Sequence, residues 1–264
     1  MRYLGGKHRQ GPAIAAAVMK LLQDGGQYAE PFCGAMGSAT RVAQAVNARE
    51  WKVQFTLSDV QEPLMCMWRA VLEGWEPPEV VTEEEYRKLK ATQDPHDPMT
   101  AFAGYACSFA AKYFGTYARC DRNDHSRVQP YARQSKKAIL DKALALWALR
   151  PPVRLACGSY ERCECLSGAV IYLDPPYVGR TPQNARNPAF DHAKFWDFAR
   201  RLSKRNAVLV SEFIWPSDFV VVHNWGDTVV RHYAGQGSDG TQEALVCLRG
   251  SAAAVAVPAP GTGE

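Results

Sequence analysis

The peptide Asp174-Pro175-Pro176-Tyr177 places an acid and an aromatic ring directly after an apolar run that begins at Ala169. The run is typical of a buried strand, and proline cannot continue a strand because it has no N–H to donate and a fixed φ. Each proline also restricts the residue before it, so the carboxylate, the prolyl carbonyls and the ring are held in one geometry. Such a site suits a flat group with polar edges. Taken alone, the peptide could equally end a strand and begin an ordinary loop.

A glycine-containing turn follows an earlier predicted strand that starts at Gln27. The turn reads Glu30-Pro-Phe-Cys-Gly34-Ala-Met-Gly37, and a helix is predicted from about residue 38 to residue 47. Strand, glycine turn and helix form the first unit of a nucleotide-binding sheet. A second predicted strand ends in Asp59, about 20 residues past the glycines, where such folds place a carboxylate on ribose hydroxyls. Asp59 could also cap the helix that follows it.

The eight cysteines do not have the spacing of a zinc site. The chain contains neither a C-x-x-C pair nor paired histidines, and the closest group, Cys157, Cys163 and Cys165, lacks the usual ligand spacing. We therefore expect reduced, mostly buried thiols and no bound metal.

The order of the predicted elements favours an α/β sheet interrupted by an insertion. Strands at 153–157, 169–173 and 207–213 resume the sheet after a mostly helical stretch with helices near 100–112 and 134–149. Asp191 is predicted to cap the helix before the strand at 207–213. Three further strands, at 219–223, 228–233 and 243–248, should include an antiparallel edge pair. We expect a catalytic domain at 1–74 and 151–250, a small helical insertion at 75–150, and a disordered tail rich in Ala, Pro and Gly at 251–264.

The overall composition is that of an ordinary globular protein, with 47% hydrophobic and 22% charged residues over 264 positions. The N-terminal apolar stretch, residues 12–18, is too short to cross a bilayer, and no signal-peptide pattern precedes it. The expected location is the cytoplasm, with no membrane partner.

Positive charge is concentrated in one segment, although the whole chain carries a formal net charge of only +4. Ten Lys and Arg between residues 112 and 154 outnumber three Asp, which gives this segment +7. A charge run is often a solvated face, but the interleaved aromatic residues favour a polyanion with stackable bases. The candidate contacts are Lys112, Tyr117, Arg119, Arg122, Arg127, Arg133 and Lys136.

Together these motifs resemble one family of enzymes. The opening Tyr3-x-Gly-Gly-Lys7, the turn at 30–37, Leu57-Ser-Asp59, Asp174-Pro-Pro-Tyr177, Phe190-Asp-His192 and Val208-Leu-Val-Ser-Glu212 occur in the order found in Dam-type (D12 class) adenine-N6 DNA methyltransferases. The resemblance covers most of 1–74 and 153–248, and residues 107–117 resemble the recognition segment of some phage-borne members. The chain departs from the family at Gln61, where Asn is common, and at Ser159, where an acid is frequent.

The resemblance implies a Rossmann-like methyltransferase sheet, S-adenosylmethionine as cofactor and double-stranded DNA as partner. It places Asp174 and the Pro175 carbonyl on the adenine amino group, with Tyr177 stacked on a flipped-out base. It also implies cofactor contacts, which are Tyr3, Lys7, Glu30, Phe32, Gly34, Asp59 and Asp174. His192 is interpreted as structural.

Two alternatives remain at this stage. The same strand-end acid would serve methylation of the cytosine N4 amino group or of RNA. A catalytically silent DNA-binding module with this fold is the other alternative, although the intact motifs argue against it. No pattern in the sequence indicates the DNA site that is recognised. The same holds for an associated restriction enzyme and for the oligomeric state.

Overall fold

The computed structural model describes residues 3, 5–119, 130–178, 190–225 and 243–257, and within them a sheet of seven strands forms the centre of the fold. The strands are β1 (Gln27–Glu30), β2 (Gln54–Asp59), β3 (Arg154–Cys157), β4 (Val170–Leu173), β5 (Ala207–Glu212), β6 (Phe219–Asn224) and β7 (Ala244–Leu248). Their order across the sheet is β3-β2-β1-β4-β5-β7-β6. This order confirms the predicted Rossmann-like α/β fold.

The first five strands of this order run parallel, and the chain reverses its direction of progress between β1 and β4. Open α/β sheets bind ligands at such a switch point, outside the carboxyl ends of the strands. Glu30 ends β1, Asp59 ends β2, and Asp174 directly follows β4. The topology therefore brings the predicted site acids to one edge of the sheet.

An antiparallel edge completes the sheet, as predicted. β7 lies between β5 and β6 and pairs antiparallel with both, and the β6 register shifts between Val221 and His223. The further strand predicted at 228–233 falls outside the described residues.

Helices cover both faces of the sheet because alternate strand residues point in opposite directions. Tyr172 and Leu209 enter the larger apolar cluster, whereas Ile171 and Val208 enter the smaller one. Among the described helices, none is long and apolar enough to cross a bilayer. The helices are α1 (Gly11–Leu21), α2 (Gly37–Asn47), α3 (Glu62–Leu72), α4 (Glu83–Thr92), α5 (Pro98–Ala106), α6 (Pro130–Trp147), α7 (His192–Ser203) and α8 (Ala252–Ala256).

The proposed insertion, residues 75–150, packs directly onto the rest of the fold. α6 lies against α2 and α3, where the Asn47 side chain donates to the Ala145 carbonyl at 2.8 Å. The Trp147 indole N–H donates to the Leu72 carbonyl at 2.9 Å. Buried side chains of α5 and α6 belong to the same apolar cluster as those of α1 and α2. The boundaries of the insertion remain a prediction.

Two single-element predictions can be compared with the structure. Asp191 caps α7, because its side chain accepts a hydrogen bond from the Lys194 amide at 2.9 Å. The helix predicted near 100–112 ends at Ala106, and a separate 3₁₀ turn follows at Phe109–Ala111. The backbone of Ser108 is extended, with φ −96° and ψ 141°, so the helix cannot continue through it.

The prediction of a disordered tail from residue 251 was wrong for its first part. Residues 252–256 form α8, which packs against α1, β5 and β7. Ala253 in the helix is fully buried, and Val257, which directly follows the helix, is nearly so. Small apolar side chains here complete the core, and composition alone did not reveal it. Residues 258–264 lie outside the described part.

Candidate active site

The N-terminal segment lies directly on the glycine turn after β1. A Cβ added to Gly34 would stand 3.0 Å from the Tyr3 ring, and one added to Gly37 would stand 3.2 Å from the Lys7 backbone. Gly34 also has a left-handed φ of 46°, which favours glycine. The turn therefore needs glycine at both positions for Tyr3 and Lys7 to approach it so closely.

Asp59 fixes the conformation of the same turn. Its carboxylate accepts hydrogen bonds from the Gly34 amide at 3.0 Å and from the Gln61 amide at 2.9 Å. The Trp68 indole N–H donates to the Gly34 carbonyl at 3.1 Å. Burial raises the pKa of Asp59, and the amides of Gln61 and Gly34 oppose this rise. The interpretation of Asp59 as the helix cap was wrong, because Gln61 is the N-cap of α3 and, among the described residues, no side chain caps this helix; Asp59 instead holds the turn and the Gln61 amide.

Glu30 is a completely buried acid beneath the turn. It accepts hydrogen bonds from the Tyr28 hydroxyl at 2.7 Å and from the Ser38 hydroxyl at 2.5 Å. Desolvation by burial raises the pKa of Glu30 to about 8, although the hydrogen bonds from Ser38 and Tyr28 act in the opposite direction. The carboxyl group is therefore largely neutral at pH 7.

The buried state of Glu30 predicts a pH-dependent stability. Its pKa is raised in the folded state, so folding binds a proton between about pH 4.5 and 8, and stability falls as pH rises through that window. The limiting slope is about 1.4 kcal/mol per pH unit. Urea unfolding of Glu30→Gln in that range, with no cofactor present, should show a flatter pH dependence than the unsubstituted protein. Equal slopes would contradict this prediction, and Glu73→Gln on the surface is the control.

Asp174 takes part in a compact polar network. The Lys7 ammonium lies 2.7 Å from Asp174 Oδ1 and 3.6 Å from Glu243 Oε1. The Tyr177 hydroxyl lies 3.0 Å from Asp174 Oδ1 and 2.8 Å from Glu243 Oε1. Burial raises the pKa of Asp174, and the positive charge of Lys7 lowers it. The strand end thus holds two carboxylates around one ammonium group.

The Tyr177 ring is held from two sides. Lys7 Nζ lies 4.7 Å from the ring centroid, and Phe213 packs edge-on with a centroid distance of 4.9 Å. Pro175, which precedes the ring by two residues, is buried. The rigid strand end inferred from the two prolines therefore also has tertiary support.

Phe32 belongs to an aromatic cluster at the same edge of the sheet. Its ring stacks on Tyr160 with a centroid distance of 5.4 Å and an interplanar angle of 23°, and Phe190 and Phe195 pack against both rings. Sequence reasoning missed Tyr160. Its position just after β3, next to Ser159, was the available signal.

Two other polar residues close to the site were also missed. Lys142 on α6 donates to the Ala35 carbonyl of the glycine turn at 2.5 Å, and burial lowers the pKa of its ammonium to about 8. Glu243 immediately precedes β7 and had no motif to mark it. Across the described ranges, no three His, Cys, Asp or Glu side chains gather in a way that could hold a metal ion.

Acidic residues pair with several of the candidate basic contacts. Arg119 makes two hydrogen bonds to Glu83, at 2.6 and 3.0 Å. Arg133 lies 3.1 Å from Glu79. Lys136 is similarly paired, 3.0 Å from Glu76. The acids come from residues 76–83, outside the segment whose charge was counted, so the fold reduces the +7 excess locally.

The remaining candidate contacts differ in their surroundings. Tyr117 packs on Tyr86 and donates from its hydroxyl to the Val81 carbonyl at 2.8 Å, which favours a structural role for this ring. Lys112 is exposed. Arg122 and Arg127 lie outside the described residues.

The fold and the site together define the class of protein. A five-stranded parallel sheet with an antiparallel β7–β6 edge carries a glycine turn after β1 and acids at the ends of β1, β2 and β4, which is the arrangement of a Rossmann-like methyltransferase. The sequence model of one protein family, the D12 class N6 adenine-specific DNA methyltransferases, matches residues 3–214. The chain belongs to this family. Its activity is the S-adenosylmethionine-dependent methylation of adenine N6 in DNA.

Solved structures of a second methyltransferase have limited similarity to the chain. Two structures of the rRNA methyltransferase aviRa from Streptomyces viridochromogenes each give a TM-score of 0.40. One is 14% identical over 94% of this chain and 86% of its own, and the other is 15% identical over 96% and 87%. No curated protein gave a significant match.

Proposed function

We propose that the chain acts on an adenine flipped out of duplex DNA, and that Asp174 and the Pro175 carbonyl accept the two N–H bonds of its amino group. The observation that carries this proposal is the position of Asp174, which lies partly buried beside Tyr177 at the β1/β4 switch point. Two prolines and the Phe213 contact limit the freedom of this strand end. The acceptors are therefore oriented before the base arrives.

The chemistry explains why a carboxylate is needed. The lone pair of the adenine amino nitrogen is delocalised into the ring, so the nitrogen is a poor nucleophile. Two acceptors draw it toward sp³ geometry and localise the lone pair. The new N–C bond forms as the S–CH₃ bond breaks, the sulfur keeps that electron pair, and the nitrogen then loses a proton. S-adenosylmethionine supplies the methyl group on its sulfonium.

The residues around the glycine turn fit this cofactor. Asp59 and Glu30 are buried acids at adjacent strand ends, and a carboxylate such as Asp59 suits ribose hydroxyls. Phe32 and Tyr160 offer aromatic faces at the same edge, suited to an adenine ring. We assign cofactor contacts to these residues, to the turn at Gly34, and to Tyr3, Lys7 and Asp174 on the segments that cover it.

Tyr177 is the proposed stacking partner of the flipped base. Its hydroxyl is fixed by carboxylates and its ring is partly exposed beside Asp174. An aromatic face next to the acceptor of the amino group would hold the base in plane with that acceptor.

We place the DNA surface on residues 75–150, the proposed recognition insertion. Phe109 is 61% exposed beside Lys112, on the turn that follows α5. An exposed aromatic residue next to a cation suits contact with unstacked bases and phosphates. Arg119, Arg122, Arg127, Arg133 and Lys136 complete the proposed surface, with Tyr117 as its internal support.

Charge reversal at Arg133 tests this placement. Arg133→Glu should weaken duplex binding about tenfold at low salt and reduce the slope of log K against log salt by about one. Glu79→Gln should strengthen binding, because it releases Arg133 from its ion pair. Fluorescence anisotropy over a salt series gives both quantities. Lys204→Glu, at the end of α7, is the control, and an unchanged slope for Arg133→Glu would move the DNA surface elsewhere.

The substrate is tested by digesting modified nucleic acid to nucleosides and identifying the product by mass spectrometry. N6-methyladenine in duplex DNA, with little in single strands or RNA, is the expected result. N4-methylcytosine alone would refute the assignment of the target base. Sequencing of methylated DNA from expressing cells would give the recognition site.

A further inference from the structure

A second carboxylate, Glu243, lies in the network that surrounds Asp174. Glu243 is only 7% exposed. It directly precedes β7 and lies beyond residues 3–214, which the family model matches. The Gln10 amide donates to Glu243 Oε2 at 3.1 Å. The other oxygen, Oε1, faces Tyr177 at 2.8 Å and Lys7 at 3.6 Å. Gln10 therefore holds Glu243 with one oxygen directed at the site.

The two carboxylates compete for the same donors. The Tyr177 hydroxyl has one proton and two acceptors within hydrogen-bond distance, Asp174 Oδ1 and Glu243 Oε1. Lys7 lies closer to Asp174 than to Glu243. In this state Asp174 Oδ1 already contacts an ammonium and a hydroxyl, which leaves it poorly available to another donor.

Catalysis as proposed above requires Asp174 to accept an N–H bond from the base. If the base reaches Oδ1, the partly buried hydroxyl of Tyr177 needs its other acceptor. The buried ammonium of Lys7 keeps the Gly5 carbonyl at 3.2 Å but needs another carboxylate as counter-charge. Within the described residues, the carboxylate placed to receive both groups is Glu243.

We infer that Glu243 is a positioning residue that accepts the Tyr177 hydroxyl and the Lys7 ammonium while Asp174 binds the amino group of the base. The inference rests on the proposed function, since it assigns Asp174 to the amino group. Glu243 does not touch the base. It acts by keeping Asp174 free and the Tyr177 ring oriented when the base is bound.

The test variant is Glu243→Gln, which keeps the size of the side chain but removes the charge that attracts Lys7 and weakens the acceptor of the Tyr177 hydroxyl. We expect kcat to fall about tenfold or more, with the KM for DNA and the Kd for S-adenosylmethionine changed less than about threefold. Flipping of the target base should persist. The fluorescence of 2-aminopurine placed at the target position measures it. Glu164→Gln, a surface glutamate paired with Arg201, is the matched control and should leave kcat unchanged.

A double-mutant cycle separates positioning from a general loss of structure. In the background of Tyr177→Phe, which has no hydroxyl to hold, the effect of Glu243→Gln should shrink several-fold because one of its two partners is gone. Equal effects in both backgrounds, or an unchanged kcat in the single variant, would overturn the inference. Failure of the unsubstituted protein to methylate adenine would instead refute the proposed function, so the two failures are distinguishable.

Discussion

Asp174→Ala is expected to abolish methyl transfer, with a loss of about 10³-fold or more in kcat, because no other group in the network can take its place on the amino nitrogen. Glu243 already holds Tyr177 and is directed by Gln10. The variant leaves Lys7 with Glu243 as a counter-ion, so the site keeps a compensating charge. Duplex binding and the fold should therefore persist. Single-turnover methylation of a labelled duplex gives the rate.

Two companion variants make this result specific. Asp174→Asn keeps the size of the side chain and one oxygen acceptor but loses the charge, and it should retain more activity than Ala while remaining strongly impaired. Asp218→Asn removes a surface carboxylate that pairs with Arg200, and it should be as active as the unsubstituted protein. Turnover by Asp174→Ala within about tenfold of normal would refute the catalytic assignment.

Asp59→Asn should weaken cofactor binding by about 30- to 150-fold. The substitution replaces a carboxylate that accepts two backbone amides by a neutral amide with one oxygen, so the Gly34 or Gln61 N–H loses its partner. An unsatisfied buried donor costs about 2 to 3 kcal/mol, which corresponds to that loss of affinity if the turn must be ordered to bind. Isothermal titration calorimetry with S-adenosylmethionine measures the change directly.

The chain contains a matched control for Asp59. Asp24 also accepts two backbone amides, from Gly25 and Lys52, but it lies exposed where the chain enters β1 and β2. Both amides bond to Asp24 Oδ1, which Asn would keep, so the control is Asp24→Ala; it should perturb local structure without affecting cofactor affinity. Comparable losses of affinity in both variants would show that Asp59 acts through general stability and not through the turn.

The strand-end residues were accessible to sequence reasoning because their positions depend on local chemistry. The prolines after Asp174 and the glycines after Glu30 interrupt regular structure at the carboxyl ends of strands, and parallel strands bring such ends together. Glu30, Asp59 and Asp174 could therefore be placed at strand ends from the sequence alone.

Contacts between distant segments could not be inferred in the same way. Glu243 is 66 residues from Tyr177, and the acids that neutralise Arg119 and Arg133 precede them by 36 and 54 residues. No local pattern encodes such pairings, which depend on how the sheet edge and the insertion pack. The burial of Ala253 in α8 has the same origin, because a weakly apolar segment became ordered only through the surfaces it contacts.

α6 connects the charged surface around Arg133 with the glycine turn that follows β1. The helix has 18 residues, so at 1.5 Å per residue it extends about 27 Å. Arg133 lies near its beginning, while Lys142, about 13 Å further along, holds the Ala35 carbonyl. A continuous helix moves as one unit along its axis. A shift of its charged end would therefore also move Lys142, which holds the Ala35 carbonyl of the glycine turn. If the charged end binds DNA and the glycine turn binds the cofactor, as proposed, the distance between the two reactants depends on this one helix.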